Sequence, residues 1–149
     1  MAKFRVQRLV RFGHCDPAGI AYFPAYIDML VGVVEDFWIA LGFPWTDQLG
    51  HRHIANPTAH LSCDFVRASR QGDVLTFTVT LERIGNSSLA LDHRVTRGEE
   101  MVWTCKQVLV AMDTKTGTAV PWPDDMRAAL QAFAQAPDVQ GETQGGLDP

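Results

Sequence analysis

The chain has 149 residues, of which 46% are hydrophobic and 20% charged, a composition ordinary for a globular protein built as one domain. Its 13 basic and 17 acidic residues give a net charge of −4, so there is no electrostatic reason to expect nucleic acid or an anionic membrane as a partner. The three cysteines lack paired spacing and the chain begins without the apolar run of a secretory signal, so we expect a cytoplasmic protein without disulfides.

The first predicted element is a strand at residues 3–12, where apolar side chains alternate with polar ones. A turn follows at residues 13–19, marked by Pro17 and Gly19. This turn carries Asp16, for which two interpretations are open. It is either a turn aspartate that binds its own backbone, or a reactive carboxylate beside the unpaired N–H groups of the next helix.

A long and unusually apolar helix is predicted at residues 25–41, with Pro24 well placed as its first residue. The only charged residues in this stretch are Asp28, Glu35 and Asp36, which fall on one narrow stripe. The rest of the circumference is apolar, so we expect the helix to be enclosed on most sides. The stripe of acids, and a length below the ~20 residues of a membrane span, argue against insertion in a bilayer.

After a loop-like segment at residues 43–58, four segments show the alternation or the β-branched composition typical of strands. They lie at residues 60–66, 74–84, 88–96 and 102–112. In the first of these segments, Leu61, Cys63 and Phe65 are predicted to point inward. The links between the four segments are short, so neighbouring strands must be antiparallel.

A short helix is predicted at residues 123–133, and the composition of residues 137–149 predicts a disordered tail. The sequence therefore predicts a single α+β domain over residues 1–136. Its expected architecture is a five-stranded antiparallel sheet wrapped around one long central helix, with the short C-terminal helix as an appendage.

The turn and the start of the long helix resemble a known signature. Residues 16–26 read Asp-Pro-Ala-Gly-Ile-Ala-Tyr-Phe-Pro-Ala-Tyr, similar to the D-x-x-G-[IV]-x-[YWF]-x-x-x-Y pattern of the 4-hydroxybenzoyl-CoA thioesterase type of the hotdog-fold superfamily. Residues 72–75, Gly-Asp-Val-Leu, resemble the GD-x-L turn common in that family. The resemblance extends over about residues 4–125 in element order, and it implies the hotdog fold.

The resemblance implies hydrolysis of a small aliphatic or aromatic acyl-CoA, with Asp16 acting as a nucleophile or as a general base. It also implies that backbone N–H groups near Phe23 polarise the thioester carbonyl, with Gly19, Tyr22 and Tyr26 beside the substrate. An aspartate with an ordinary pKa near ~3.9 is ionised at neutral pH, and a thiolate with a pKa near ~8.5 leaves readily. This chemistry calls for no metal and no cofactor.

Further candidate residues have ordinary alternatives. Glu35 is the rival catalyst, because other hotdog thioesterases place their acid on the helix, but its position on the acidic stripe favours a solvated side chain. His14 is either a structural residue of the turn or a neighbour that tunes Asp16. His60 could line the pocket from a partner chain. Val31 occupies the position where related enzymes carry an acid for the substrate hydroxyl, which favours a plainer acyl group.

Three arginines lie in or beside predicted turns, where they either bind CoA phosphates or are ordinary surface residues: Arg67, Arg70 and Arg83. His51 and His53 have no third ligand at a recognisable spacing, so no zinc site is predicted. The resemblance also implies a homodimer or homotetramer with the pocket at the seam between subunits. Exposed sheet edges give an independent physical reason to pair.

Two other functions remain open at this point. One is a non-catalytic module that binds acyl thioesters, although retention of Asp16 argues against it. The other is a hotdog dehydratase or hydratase, which usually relies on a histidine in the helix region, and no histidine lies between residues 22 and 50. Whether CoA or an acyl-carrier protein carries the thiol is likewise open.

Overall fold

A computed structural model of the protein describes residues 2–141. Its strands are β1 (Lys3–Leu9), β2 (Ile54–Ala55), β3 (Thr58–Phe65), β4 (Val74–Ile84), β5 (Ser88–Arg97), β6 (Glu100–Val110), β7 (Met112–Asp113) and β8 (Val139–Gln140). Its helices are α1 (Phe23–Ala40), α2 (Trp45–Leu49) and α3 (Asp124–Gln135), and a 3-10 turn covers Phe12–His14. Both predicted helices and all five predicted strands are present. The segment predicted as loop-like, residues 43–58, contains α2 and β2.

One sheet contains six strands in the order β3-β6-β5-β4-β1-β8, and β2 pairs separately with β7. The five predicted strands run antiparallel to one another, as the short links require. The prediction of five strands misses β8, which runs parallel to β1 at the edge of the sheet.

The short strand β8 falls in the segment predicted to be a disordered tail, and that prediction is wrong for its residues. Three polar contacts hold this segment against β1. The Asp138 carboxylate pairs with the Arg5 guanidinium at 2.6 Å and accepts the Lys3 N–H at 3.1 Å, and the Gly141 N–H donates to the Arg5 carbonyl at 2.6 Å. All three depend on a partner far away in the sequence. The remainder of the tail prediction, residues 142–149, lies outside the described residues.

Helix α1 packs against the sheet, and the buried side chains of both belong to one hydrophobic core. Its buried residues are Ala25, Tyr26, Met29, Leu30, Val33, Val34, Phe37 and Trp38. Phe37 meets Phe4 of β1 edge-on, with 6.0 Å between ring centroids. None of the helices in the described part of the chain is long and apolar enough to cross a bilayer.

The outer face of α1 is only partly enclosed. Asp36 forms a largely buried ion pair with Arg8 of β1. Val31 and Ile39, by contrast, are exposed. The expected enclosure on most sides therefore does not extend to Val31 and Ile39.

Strand β3 lies at one edge of the sheet, and its burial differs from the prediction. Leu61 is 40% exposed and Phe65 is 48% exposed, while Cys63 is half-buried. These residues pair with buried residues of β6, so they lie on the correct face of the sheet. They remain accessible because nothing within residues 2–141 covers this edge.

Candidate active site

The turn that carries Asp16 is closed by backbone hydrogen bonds. The Asp16 N–H donates to the Ile20 carbonyl at 2.9 Å, and the Gly19 N–H donates to the Asp16 carbonyl at 2.9 Å. Gly19 has a φ of 79°, in the left-handed region that favours glycine. Cys15 and Ala21 form a bridge just outside the turn. The turn therefore places Asp16 directly across from Ile20.

The carboxylate of Asp16 is half-buried and held on one side. Its Oδ1 accepts a hydrogen bond from the Ala18 N–H at 2.9 Å, the local bond expected of a turn aspartate. Its Oδ2 accepts no hydrogen bond from any residue between 2 and 141. The structure therefore shows the local bond of a turn aspartate at one oxygen and leaves the other oxygen without a donor among the described residues.

The start of α1 leaves one backbone amide unpaired. Tyr22 precedes the helix without a side-chain cap, and the Ala25 N–H donates back to the Tyr22 carbonyl at 2.9 Å. Pro24 has no N–H to donate. The Phe23 N–H is therefore left without an acceptor among the residues that the structure describes. An unpaired amide at a helix N-terminus attracts an oxygen that develops negative charge.

A cavity of about 340 Å³ opens at this helix start. Its lining residues are Ile20, Ala21, Phe23, Tyr26, Phe65, Val66, Arg67 and Ala68. Two distant segments meet here, because the Ala21 N–H donates to the Ser69 carbonyl at 2.8 Å and Ile20 bridges Arg70. Of the residues predicted to form the site, the cavity brings together Phe23, Tyr26 and Arg67. Asp16, Gly19 and Tyr22, which were predicted for the same site, are not among its lining residues.

Aromatic rings form the main wall of the cavity. The rings of Tyr26 and Phe65 lie 6.0 Å apart with 17° between their planes, and both pack against Trp103, at 5.3 and 5.7 Å. Phe23 contacts Phe65 at 6.2 Å with 56° between the planes. The Tyr26 hydroxyl is buried and has no hydrogen-bond partner within the described residues.

The cation in the cavity wall is already engaged. Arg67 donates to the Met101 carbonyl at 2.8 Å and lies 3.5 Å from the Glu100 carboxylate. Beyond the cavity, Asp73 accepts the Arg70 N–H at 2.9 Å, so the acid of the Gly-Asp turn has a structural role. The wall is therefore mainly apolar and carries little uncompensated charge.

His14 lies two residues before Asp16 but lines a different cavity, of about 240 Å³, together with Asp28. Its Nδ1 accepts the Arg11 N–H at 2.9 Å. Burial lowers the pKa of His14, an effect that Asp28 partly offsets. These contacts favour the structural interpretation of His14.

Three other predicted residues lie apart from both cavities. Glu35 is half-buried on α1, His60 is exposed on β3, and Arg83 is exposed on β4. The single chain gives none of them a place beside Asp16.

Sequence reasoning missed Ile20, Val66 and Ala68 as lining residues and treated Phe65 as core. The sequence contains no local signal for the missed residues, because their position depends on pairing between two segments about 50 residues apart. The exposure of the Phe65 ring follows from the position of β3 at the edge of the sheet, and the sequence alone does not specify that position.

The sheet, the long helix and the cavity at its start define an α+β protein of the hotdog thioesterase type. The chain belongs to the thioesterase-like superfamily, whose family model matches residues 10–130. This confirms the family predicted from the motif at residues 16–26.

Relatives with established names are hydrolases of CoA thioesters. A 4-hydroxybenzoyl-CoA thioesterase from a Pseudomonas species (strain CBS-3) is 32% identical over 94 residues, 62% of this chain and 67% of that protein. A 1,4-dihydroxy-2-naphthoyl-CoA hydrolase from Synechococcus elongatus is 26% identical over 135 residues, 90% of this chain and 99% of that protein.

Solved structures share the fold. A 1,4-dihydroxy-2-naphthoyl-CoA thioesterase from Synechocystis aligns with a TM-score of 0.82 and 19% identity, over 91% of this chain and 100% of that one. A mutant 4-hydroxybenzoyl-CoA thioesterase in complex with 4-hydroxybenzoyl-CoA aligns with a TM-score of 0.80 and 24% identity, over 87% of this chain and 99% of that one. At this level of identity the likeness establishes the hotdog fold.

Proposed function

We propose that this protein is an acyl-CoA thioesterase that hydrolyses a small aromatic or aliphatic acyl-CoA to the free acid and CoA. The observation that carries the proposal is the unpaired N–H of Phe23, a residue that lines the apolar cavity and follows Asp16 by seven positions in the chain. The activity of the named relatives supports the same reaction.

In the proposed reaction, the thioester carbonyl oxygen accepts a hydrogen bond from the Phe23 N–H. The free Oδ2 of Asp16 then acts in one of two ways. On the first route it attacks the carbonyl carbon, which expels the CoA thiolate and leaves an anhydride that water hydrolyses. On the second it removes a proton from a water molecule that attacks the carbonyl carbon, and the C–S bond then breaks to release the CoA thiolate and the free acid. The amide stabilises the oxyanion on either route, and the loss of a comparable donor costs roughly 3–4 kcal/mol. Water is the only co-reactant, so the reaction requires no cofactor.

The CoA phosphates require cations near the cavity mouth. Arg67 lines the cavity, and Arg70 is exposed with its backbone bridged to Ile20. We propose Arg70 as the phosphate contact. The engagement of Arg67 by Met101 and Glu100 argues against that residue, and the position of Arg83 on β4 argues against the third.

A homodimer or homotetramer is part of the proposal. Strand β3 has no neighbour on its outer side within residues 2–141, and it exposes Leu61 and Phe65 together with the adjacent Val66. An unpaired edge with apolar side chains favours pairing with a second copy. Such pairing would bring a second copy of His60 toward the seam.

The test of the proposal compares Asp16→Asn with Glu35→Gln on a panel of aromatic and aliphatic acyl-CoAs, with free thiol as the readout. We expect turnover of at least one substrate, a loss of at least ~100-fold in kcat for Asp16→Asn and little change for Glu35→Gln. Thermal unfolding of both variants controls for folding.

A large loss of kcat for Glu35→Gln with little change for Asp16→Asn would identify Glu35 as the catalytic acid. Binding of acyl-CoA by the unmodified protein without release of thiol would refute hydrolysis and support a binding module.

A further inference from the structure

Two free cysteines face each other at the β3 edge of the sheet. Cys63 of β3 and Cys105 of β6 are direct register partners. Both lie on the inward face, because Cys105 is buried and the alternation of β3 places Cys63 on the same side as Phe65, whose ring stacks on Trp103. Register partners on adjacent antiparallel strands have neighbouring side chains, so the two thiols lie side by side.

The hydrogen bonding between the two strands brings these side chains close together. The Val66 N–H donates to the Val102 carbonyl at 2.8 Å, which makes these two residues a hydrogen-bonded pair. Hydrogen-bonded and non-hydrogen-bonded pairs alternate along antiparallel strands, so Cys63 and Cys105, three positions further along, form a non-hydrogen-bonded pair. The Cα atoms of such pairs lie ~4.5 Å apart, within the range of about 4.4–6.8 Å that a disulfide spans.

The two thiols differ in accessibility, and this difference sets the order in which they react. Cys63 is half-buried on an edge strand, whereas Cys105 is only 1% exposed. Burial, and the Cys63 thiol beside it, raise the pKa of Cys105, so this sulfur stays protonated at neutral pH. Cys63 is therefore the thiol that a small oxidant attacks first, and Cys105 is placed to react with the product.

We propose that Cys63 and Cys105 form a redox modification site, in which a peroxide joins the two sulfurs as a disulfide that fixes the edge strand β3 to β6. In a reducing compartment the bond is transient, because thiols such as glutathione reduce it, and the modification is reversible. This site is independent of the proposed thioesterase function.

The oxidation takes place in two balanced steps. In the first, the Cys63 sulfur attacks one oxygen of hydrogen peroxide, the O–O bond breaks, and a sulfenic acid forms while the departing hydroxide takes up the thiol proton and leaves as water. In the second, the Cys105 sulfur attacks the sulfenic sulfur, the S–O bond breaks, and a second water leaves with the Cys105 proton. The two thiols supply the two electrons that reduce the peroxide.

The test uses Cys15→Ser, which leaves Cys63 and Cys105 as the only thiols of the full chain. After treatment of the folded protein with hydrogen peroxide, we expect both free thiols to disappear together and the mass to fall by two hydrogen atoms. Peptide mapping without reductant should show a bond between residues 63 and 105 of the same chain. Dithiothreitol should restore both thiols.

A matched control moves one thiol along the same face of β3. On the Cys15→Ser background, Cys63→Ser combined with Leu61→Cys keeps two thiols, but residue 61 is the register partner of Gln107. The new thiol is then diagonal to Cys105, with Cα atoms ~7–8 Å apart, so the bond should form at least ~10-fold more slowly. Thermal unfolding of the reduced variants controls for folding.

Three outcomes would overturn the modification site. They are equal rates of bond formation in Cys15→Ser and its control, further oxidation of Cys63 while Cys105 stays free, and a disulfide between two chains.

A last measurement tests whether the bond fixes β3. The disulfide closes a loop of about 40 residues, which restricts the unfolded chain, so the unfolding midpoint of oxidised Cys15→Ser should rise by roughly 5 °C or more and return after reduction. An unchanged or lower midpoint would refute the stabilisation of the edge strand.

Discussion

Strands β3 and β4 carry the same alternating pattern but have different surroundings. In β4 the inward residues Leu75, Phe77 and Val79 are at most 1% exposed, whereas in β3 Leu61 and Phe65 are 40% and 48% exposed. Alternation determines which side chains share a face, but it does not determine whether anything covers that face. The centre of the sheet therefore contributes stability, whereas side chains of its β3 edge stay accessible, and Phe65 lines the cavity.

The largest expected effect on stability tests this contrast directly. Phe77→Ala removes a fully buried ring from the centre of the sheet and should lower the free energy of unfolding by about 3–5 kcal/mol. Leu61→Ala, at the edge, should lower it by less than about 1 kcal/mol. Urea titrations of both variants give the two values, and similar losses would show that the edge is as well packed as the centre.

The next effect is a pH dependence of the free energy of unfolding, which originates in the centre of the sheet. His93 of β5 is buried, its Nε2 lies 2.8 Å from the Gln107 Oε1, and burial lowers its pKa to about 4. In the unfolded chain His93 has an ordinary pKa near ~6.5, whereas in the folded chain it stays neutral until the pH falls to about 4. The free energy of unfolding should therefore be highest above pH ~6.5 and fall by about 3 kcal/mol as the pH drops to 4.

Urea unfolding between pH 7 and pH 4 measures this dependence. His93→Gln should flatten it, whereas His60→Gln should keep it, because His60 is exposed on β3. A slope that is unchanged in His93→Gln would assign the dependence to other groups.

The smallest effect concerns the other edge of the sheet. Arg5 and Asp138 form an exposed ion pair that holds β8 to β1. Asp138→Asn should lower stability slightly at low salt, because exposed pairs contribute little, and the difference should shrink near 1 M salt, where the screening length is about 3 Å. Unfolding midpoints at the two salt concentrations provide the check. A large loss that persists in high salt would mean that β8 is a core element.

The elements that could be predicted from the sequence are those with local signals. The period of two predicts β4 at residues 74–84 with the bounds that the structure has, and the apolar run after Pro24 predicts α1. The motif at residues 16–26 identifies the Asp16 turn and the free Phe23 amide, because both are formed by neighbouring residues.

What could not be predicted depends on contacts between distant residues. The strand β8 requires Arg5, more than 130 positions away from Asp138. The cavity requires the hydrogen bond between Ala21 and Ser69, and the sequence around these residues contains no pattern that predicts it. The exposure of Phe65 follows from the order of strands, which alternation alone does not specify.

The two edges of the sheet are not equivalent. Strand β8 lies against β1 at Phe4 and Arg5, whereas β3 has an open outer side within residues 2–141. A sheet open on both sides could add one chain after another and grow into a filament. The far edge of this sheet is a strand of two residues, which offers few backbone groups to a further chain, whereas β3 offers eight residues. Addition through the sheet is therefore favoured on the β3 side alone.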